Sequence, residues 1–272
     1  MIKSDLEKAV FAQPWGGLGD NLQYSNLPEL YDKEGVKFFV SFFNHTRNKQ
    51  IDKFCWGNSN FSSGKILKKP NIGWKTWIDT LENYKDRKDI NIIQKNNLNH
   101  GFEEGEGYPS MNIDKKLKNN KIQFPYLADF NAITLVPSTN GWNQIQQHIG
   151  GTNISMLSFP NVKNLTNAPS LFKSDYERLE VNSLEESLAV LSKTDTFICL
   201  NSGSHTLAAG LKNIIGRPNN IISFYPGAKD VNNPDGRYMF QNVEYKMVDS
   251  LPEKPIRDRK LELYEKFYLK FF

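Results

Sequence analysis

At 272 residues the chain is long for a single compact core and suits two halves of roughly 100 to 150 residues each. Hydrophobic residues make up 39% and charged residues 24% of it, enough apolar surface to fill two cores, which excludes global disorder. The net charge of +4, from 34 basic and 30 acidic residues, suits an anionic small molecule and makes no demand for a nucleic-acid partner.

Cys55 and Cys199 are the two cysteines, with no CxxC pair and no Cys/His spacing of a structural zinc site, so free thiols in a reducing compartment are expected. The opening MIKSDLEKAVFAQPWGG has its apolar stretch broken by Gln13 and Pro14, unlike a secretory signal. No run approaches the roughly 20 apolar residues that cross a bilayer. The expected address is the cytoplasm.

In chain order, Ala9 to Ala12 and Val36 to Phe43 are short apolar runs bounded by turn formers and are predicted as buried strands. Asp20 to Asp32, with Leu22, Leu27 and Leu30, is predicted as the helix between them. From Cys55 to Asn120 the chain is rich in Asn, Lys and Gly; a helix at Trp74–Tyr84, a strand at Ile90–Gln94 and a mobile acidic loop at Gly101–Gly107 are predicted. The domain boundary is placed near Ile122–Phe130, where Pro125 interrupts the pattern.

Beyond it come strands at Ile133–Val136, Ile154–Ser158, Thr196–Leu200 and Asn220–Tyr225, alternating with helices at Asn143–His148, Leu184–Ser192 and Ser204–Leu211. Such alternation predicts a parallel sheet with helices on both faces. The expected organisation is residues 1–125 as a first Rossmann-like lobe, 126–255 as a second, and 256–272 as a terminal helix packing back on the first.

Two Gly-rich turns carry the chemistry. Gln13-Pro-Trp-Gly-Gly-Leu-Gly-Asp20 follows a strand and opens a helix, where glycine permits close backbone approach and the helix start offers N–H groups and a positive dipole end. Its spacing is not that of the dinucleotide fingerprint, and such turns also serve plain packing. Asp20 suits either ordinary capping or the crevice at the C-terminal edge of the sheet.

The second turn, Asn201-Ser202-Gly203-Ser204, joins a buried strand to a helix carrying Ala208, Ala209 and Gly210. Its hydroxyls and N–H groups suit a diphosphate. Ser202 and His205 do not form a G-x-S-x-G elbow, and spacing identifies no partnered acid, so a hydrolase is disfavoured. His205 is either a positioned hydrogen-bond donor or a structural histidine.

Across these motifs the chain resembles the ADP-heptose lipopolysaccharide heptosyltransferase family, and more loosely other two-lobed GT-B glycosyltransferases. The resemblance rests on Gly19-Asp20 followed by Leu27-Pro28, on Val136-Pro137-Ser138-Thr139, and on Asn201-Ser-Gly-Ser-His-Thr-Leu-Ala-Ala209. It implies an α/β fold of two Rossmann-like lobes with parallel sheets. It also implies transfer of a sugar from a nucleotide diphosphate sugar to a hydroxyl of a glycan or lipid-linked acceptor.

By the same resemblance Asp20 is the base, flanked by Gly16, Gly17, Gly19 and Asn21 on the acceptor side. Ser138, Thr139, Asn201, Ser202, Gly203, Ser204, His205 and Thr206 become donor-site candidates. The family's acid is Asn201 here, and its histidine position is Thr206, with His205 displaced by one. Trp15-Gly-Gly-Leu-Gly-Asp-Asn21 is also partly similar to the start of GDP-fucose fucosyltransferases, whose basic motif is absent.

Lys229 and Arg237 lie after the last predicted strand, where a cation would neutralise donor phosphates. Glu177 and Glu180 are candidates for ribose hydroxyls, or plain surface acids. Asp195-Thr196-Phe197 is not an Asp-x-Asp pair, so no metal and no cofactor beyond the nucleotide-sugar substrate is expected. The aromatic, basic stretch Arg257–Phe272 suits a helix covering the first lobe, or contact with the inner face of the membrane. Other readings of the same fold are a non-catalytic sugar-nucleotide or glycan-binding protein and a sugar-nucleotide epimerase.

Overall fold

The computed structural model describes residues 8–13, 17–42, 51, 54–55, 74–131, 137–150, 152–160, 176–226 and 238–249. The expected strand residues 133–136, the terminal helix at 256–272, and Gly16, Lys229 and Arg237 fall outside these. Two compact units divide between Met111 and Asn112. That is earlier than the expected 125/126, and hydrogen bonds explain why. Asn120 Nδ2 donates to Ser192 Oγ at 2.6 Å, and the N–H groups of Gln123 and Phe124 donate to the Lys193 carbonyl at 2.8 and 3.1 Å, so this stretch is tied to the second unit.

In the first unit, strand β1 (Lys8–Gln13) lies between β2 (Lys37–Phe42) and β3 (Trp74–Thr76), parallel to both. The helix expected at Asp20–Asp32 is two short ones, α1 (Leu18–Leu22) and α2 (Leu27–Lys33). Pro28 has no N–H to continue a helix through this point and sits in the first turn of α2. Asn26 bridges away instead: its Nδ2 donates to the Tyr108 carbonyl at 3.1 Å, and its Oδ1 accepts from Ser110 N at 2.7 Å.

The stretch expected as one helix at Trp74–Tyr84 starts as β3 and becomes helix α3 (Trp77–Asn83). The strand expected at Ile90–Gln94 is helix α4 (Ile92–Asn99). Asn91 decides this locally, since its side chain accepts from Ile93 N and Gln94 N while its own N–H donates to Gln94 Oε1, a reciprocal N-terminal cap.

The acidic loop expected to be mobile is tied to α4. Asn97 Nδ2 donates to the Glu104 carbonyl at 3.0 Å, Gln94 Nε2 to Glu104 Oε1 at 3.0 Å, and Asn91 Nδ2 to the Gly107 carbonyl at 2.7 Å. Gly107 has φ +77°, and a Cβ there would lie 2.8 Å from Asn91 Nδ2, so glycine serves both the backbone conformation and the close approach.

The second unit is a six-stranded, wholly parallel sheet ordered β6-β5-β4-β7-β8-β9. Its elements are β4 (Phe124–Asp129), α5 (Thr139–Ile149), β5 (Ser155–Ser158), β6 (Arg178–Glu180), α6 (Leu184–Leu191), β7 (Thr194–Leu200), α7 (Gly203–Ile215), β8 (Asn220–Pro226) and β9 (Glu244–Val248). The near-continuous apolar runs of β7 and β8 are what a strand covered on both faces requires.

On one face Ala128, Ile198, Leu200 and Phe224 pack with Trp142, Ile145 and Ile149 of α5 in a single buried cluster. On the other, α7 lies against β7 and β8. Ala208, Ala209 and Leu211 of α7 are fully buried, and Gly216 in the left-handed conformation (φ +75°) ends the helix. Among the described residues no helix is long and apolar enough to cross a membrane.

Candidate functional site

The path of the chain through the second sheet marks one place. From β4 it moves outward through β5 to β6, then returns to the other side of β4 to lay down β7, β8 and β9. The order reverses between β4 and β7. Connections leaving the carboxyl ends of strands on either side of such a reversal diverge, and the crevice left between them is where open α/β sheets bind ligands.

Asp129 ends β4 at this point, in register with Cys199 of β7, and the Asn201–Ser204 turn follows immediately. The turn leads into α7 with Ser202 as N-cap, in extended conformation. Asn91, Ser138 and Ser183 cap α4, α5 and α6 with side-chain oxygens, whereas among the described residues no side chain caps α7, and no acid stands in its first turn. Ser202 Oγ bonds instead to Ser204 Oγ at 2.8 Å. The first turn of α7 therefore keeps N–H groups and the positive end of a 13-residue helix for an anion.

Beneath the turn lies a carboxyl group that the sequence reasoning did not single out. Asp129 is 2% exposed, and its Oδ1 accepts from Asn131 N at 2.9 Å and from Asn131 Nδ2 at 2.7 Å. Burial pushes its pKa above the ordinary carboxylate value, outweighing the lowering by Asn131 and Ser204. Burial raises the adjacent Cys199 thiol as well, and the Asp129 charge adds to this. The available signal was an acid at the end of the otherwise apolar run Leu127-Ala128-Asp129-Phe130.

His205 is 3% exposed, with Nδ1 2.5 Å from the Ser202 carbonyl and Nε2 3.2 Å from the Tyr238 carbonyl. Its ring lies against Phe240 and Tyr245. Burial lowers its pKa, outweighing the raising by the two carbonyls beside its ring nitrogens. Thr206 is buried beside it, and the Asn201 N–H donates to the Phe224 carbonyl at 3.1 Å, fixing the turn to β8.

Ser138 and Thr139 stand at the start of α5, the helix after β4. Ser138 Oγ accepts from Gly141 N at 3.1 Å, and its N–H donates to the Asp249 carbonyl at 2.9 Å. Gly141 is required here, because a Cβ would lie 2.0 Å from that carbonyl oxygen. The hydroxyl of Ser138 is thus engaged in capping, while Thr139 is exposed. Glu177 accepts from Ser155 Oγ at 3.2 Å and Glu180 ends the edge strand β6; neither joins the Asp129 cluster.

In the first unit, Asp20 is half-buried in the first turn of α1 and its Oδ2 accepts from Gly17 N at 3.0 Å. Asn21 is fully buried, its Nδ2 donating to the Gly17 carbonyl at 2.7 Å. Gly17 precedes the helix in extended conformation and Gly19 lies within it, so these residues form one compact turn after β1. Among the described residues no group of three or more His, Cys, Asp or Glu converges as a metal site.

No protein-family model matches the chain, and no curated protein does. Solved structures do. The iron-containing dodecameric glycosyltransferase TibC from enterotoxigenic E. coli H10407 aligns at TM-score 0.59 and 14% identity, over 89% of this chain and 63% of that one. TibC in complex with ADP-D-beta-D-heptose, described as a heptosyltransferase, aligns at TM-score 0.56 with the same identity and coverage. E. coli heptosyltransferase WaaC with ADP aligns at TM-score 0.50 and 10% identity, over 95% of this chain and 99% of that one. This likeness establishes the fold: the chain has the α/β architecture with parallel sheets of the GT-B heptosyltransferase structures. It spans about 63% of the length of TibC.

Proposed function

We propose that this protein is a glycosyltransferase that takes a sugar from a nucleotide diphosphate sugar, with the donor held by the second unit and Asp20 of the first acting as base. The observation that carries the proposal is the coincidence of the uncapped N-terminus of α7 with the reversal of strand order between β4 and β7, in a fold shared with sugar transferases. TibC and WaaC are solved with ADP-heptose and ADP, which makes an ADP-sugar the first donor to test.

In this reading the α7 N–H groups and the Ser202 hydroxyl bind the diphosphate, with Lys229 adding positive charge. They act most strongly as the leaving group gains charge in the transition state. The Asp20 carboxylate takes the proton from an acceptor hydroxyl as that oxygen bonds to the anomeric carbon. The bond from the anomeric carbon to the diphosphate oxygen breaks, its electron pair leaving with the nucleoside diphosphate. The reading assigns this stabilisation to protein groups; TibC is described as iron-containing, so assays run with and without a chelator belong to the test.

Asp20→Asn is expected to lower turnover by at least about a hundredfold, the usual scale of a lost general base, with donor affinity nearly intact. Calorimetry and product analysis separate the two quantities. Retained turnover in Asp20→Asn would remove Asp20 from the mechanism, and turnover lost to a chelator would overturn the metal-independent assignment.

A further inference from the structure

We propose that His205 is a positioning residue of the donor site that takes up a proton when the diphosphate binds: as the imidazolium it aims the Gly203 N–H at the ligand and holds the segment leading into β9. This rests on the donor assignment above and adds a proton to its binding step.

The geometry is a buried ring between two carbonyl oxygens. Nδ1 of His205 lies 2.5 Å from the Ser202 carbonyl oxygen, and Nε2 lies 3.2 Å from that of Tyr238. A carbonyl oxygen only accepts, and a neutral imidazole has one N–H to give. Only the imidazolium donates to both. In the neutral ring, whichever tautomer is present, one nitrogen turns a lone pair toward a carbonyl oxygen.

The Ser202 carbonyl and the Gly203 N–H belong to one trans peptide unit and point in opposite directions. Ser202 is the N-cap and Gly203 the first residue of α7. A carbonyl drawn to the ring therefore leaves that N–H pointing out of the helix start, toward the place assigned to the diphosphate. Donation from Nδ1 also polarises the peptide and strengthens its N–H as a donor. On the other side, Tyr238 opens the described segment before β9. Asn242 in the same segment donates from Nδ2 to the Ala209 carbonyl at 2.9 Å and accepts at its own carbonyl from Lys212 Nζ at 3.1 Å. The ring ties the first turn of α7 to a segment that its later turns already hold.

Two opposed effects set the charge of the ring. The carbonyls favour the imidazolium, and burial, the larger effect, disfavours it. The negative charge of a diphosphate at the start of α7 acts in the same sense as the carbonyls. The ring also faces Phe240 and, on β9, Tyr245, at centroid distances of 5.3 and 6.1 Å; the Tyr245 hydroxyl accepts from Phe240 N at 2.8 Å. The elements packed against α7 carry Asp195 and Cys199 (β7), Tyr225 (β8), Glu185 and Glu186 (α6) and the lysines of a short 3-10 turn, Lys115–Asn119. The ring's hydrogen bonds among the described residues go to the two carbonyls instead. Because binding raises the pKa of the ring, donor affinity is highest below the value in the free protein and falls as pH rises through the value in the complex.

The test is calorimetry of ADP-, UDP- and GDP-glucose binding, in pairs of buffers that differ in ionisation enthalpy, from mildly acidic to mildly alkaline pH. The diphosphate of these esters has no proton to exchange in that range. The wild-type chain is expected to take up as much as about one proton and to lose about tenfold in affinity as pH rises, the equivalent of a tenfold change in the ring's proton affinity. His205→Asn and His205→Gln place a non-titrating amide near the position of Nδ1 and of Nε2, and are expected to bind without proton uptake and with a flat pH profile.

Nitrogen-15 histidine spectra of the wild type supply a reading that needs no variant. The ring assigned by its proximity to Phe240 and Tyr245 is expected to be more protonated in the complex than in the free protein at the same pH. Binding without proton uptake, uptake unchanged in both variants, or a ring whose charge does not change on binding overturns the inference and leaves the donor assignment standing. Binding of none of the three sugars at any pH, with folding intact, overturns both.

Discussion

The α4 region of the first unit and the sheet of the second solve the same problem of burial by opposite means. In the second unit Phe224, Ile198, Trp142 and Ile145 exclude water by non-directional apolar contact. In the first, the buried face of α4 carries Asn96, Asn97 and Asn99, whose amides donate to the Gln23 carbonyl, the Glu104 carbonyl and Thr80 Oγ1 at 3.2, 3.0 and 3.1 Å. Each amide bond contributes only about 1 kcal/mol net, but it fixes a direction and leaves a costly orphan if its partner goes. An apolar core tolerates small displacement, whereas an amide network specifies one arrangement of the loop it holds.

The contrast is open to direct attack. Phe224→Ala empties the centre of the second sheet and is expected to cost about 3 to 5 kcal/mol, read by denaturant unfolding. A loss below about 1 kcal/mol would show that this cluster does not carry the unit's stability. Asn91→Ala removes the double cap of α4 and the bond to Gly107, and is expected to cost about 1 to 2 kcal/mol. Hydrogen exchange should accelerate in residues 92–99 and 104–107 and stay unchanged in β7 and β8; a uniform acceleration would contradict the local, directional character assigned to the network.

Legibility in the sequence followed the same divide. Strands β5, β7 and β8 and helices α6 and α7 of the second unit were readable because apolar runs alternate with amphipathic stretches, whereas the edge strands β6 and β9, short or mostly polar, were not singled out. The Ile90–Gln94 stretch misleads because its clustered isoleucines look strand-like, while the decisive signal is the cap from Asn91 to Gln94 and the amide partners far along the chain. The loop at Gly101–Gly107 looked mobile for the same reason: its anchors are asparagines of another element.

The site divides similarly. The Asn201–Ser204 turn was legible as small and polar residues between a strand and a helix, and the structure adds that α7 is left without a side-chain cap. Asp129 was not legible, since a lone acid at the end of a strand is ordinary until register with Cys199 sets it beside the strand that leads into the turn. That Ser138 is spent on capping α5 was also beyond sequence, because its other partner, the Asp249 carbonyl, lies at the far end of the unit.

Whether the first turn of α7 receives the diphosphate of a nucleotide sugar is read at the turn itself by hydrogen exchange with and without ADP-, UDP-, GDP- and CMP-sugars. One of these ligands is expected to slow exchange at residues 201–206, with ADP-sugars the first expected. Binding that protects other segments and leaves residues 201–206 unchanged would contradict it.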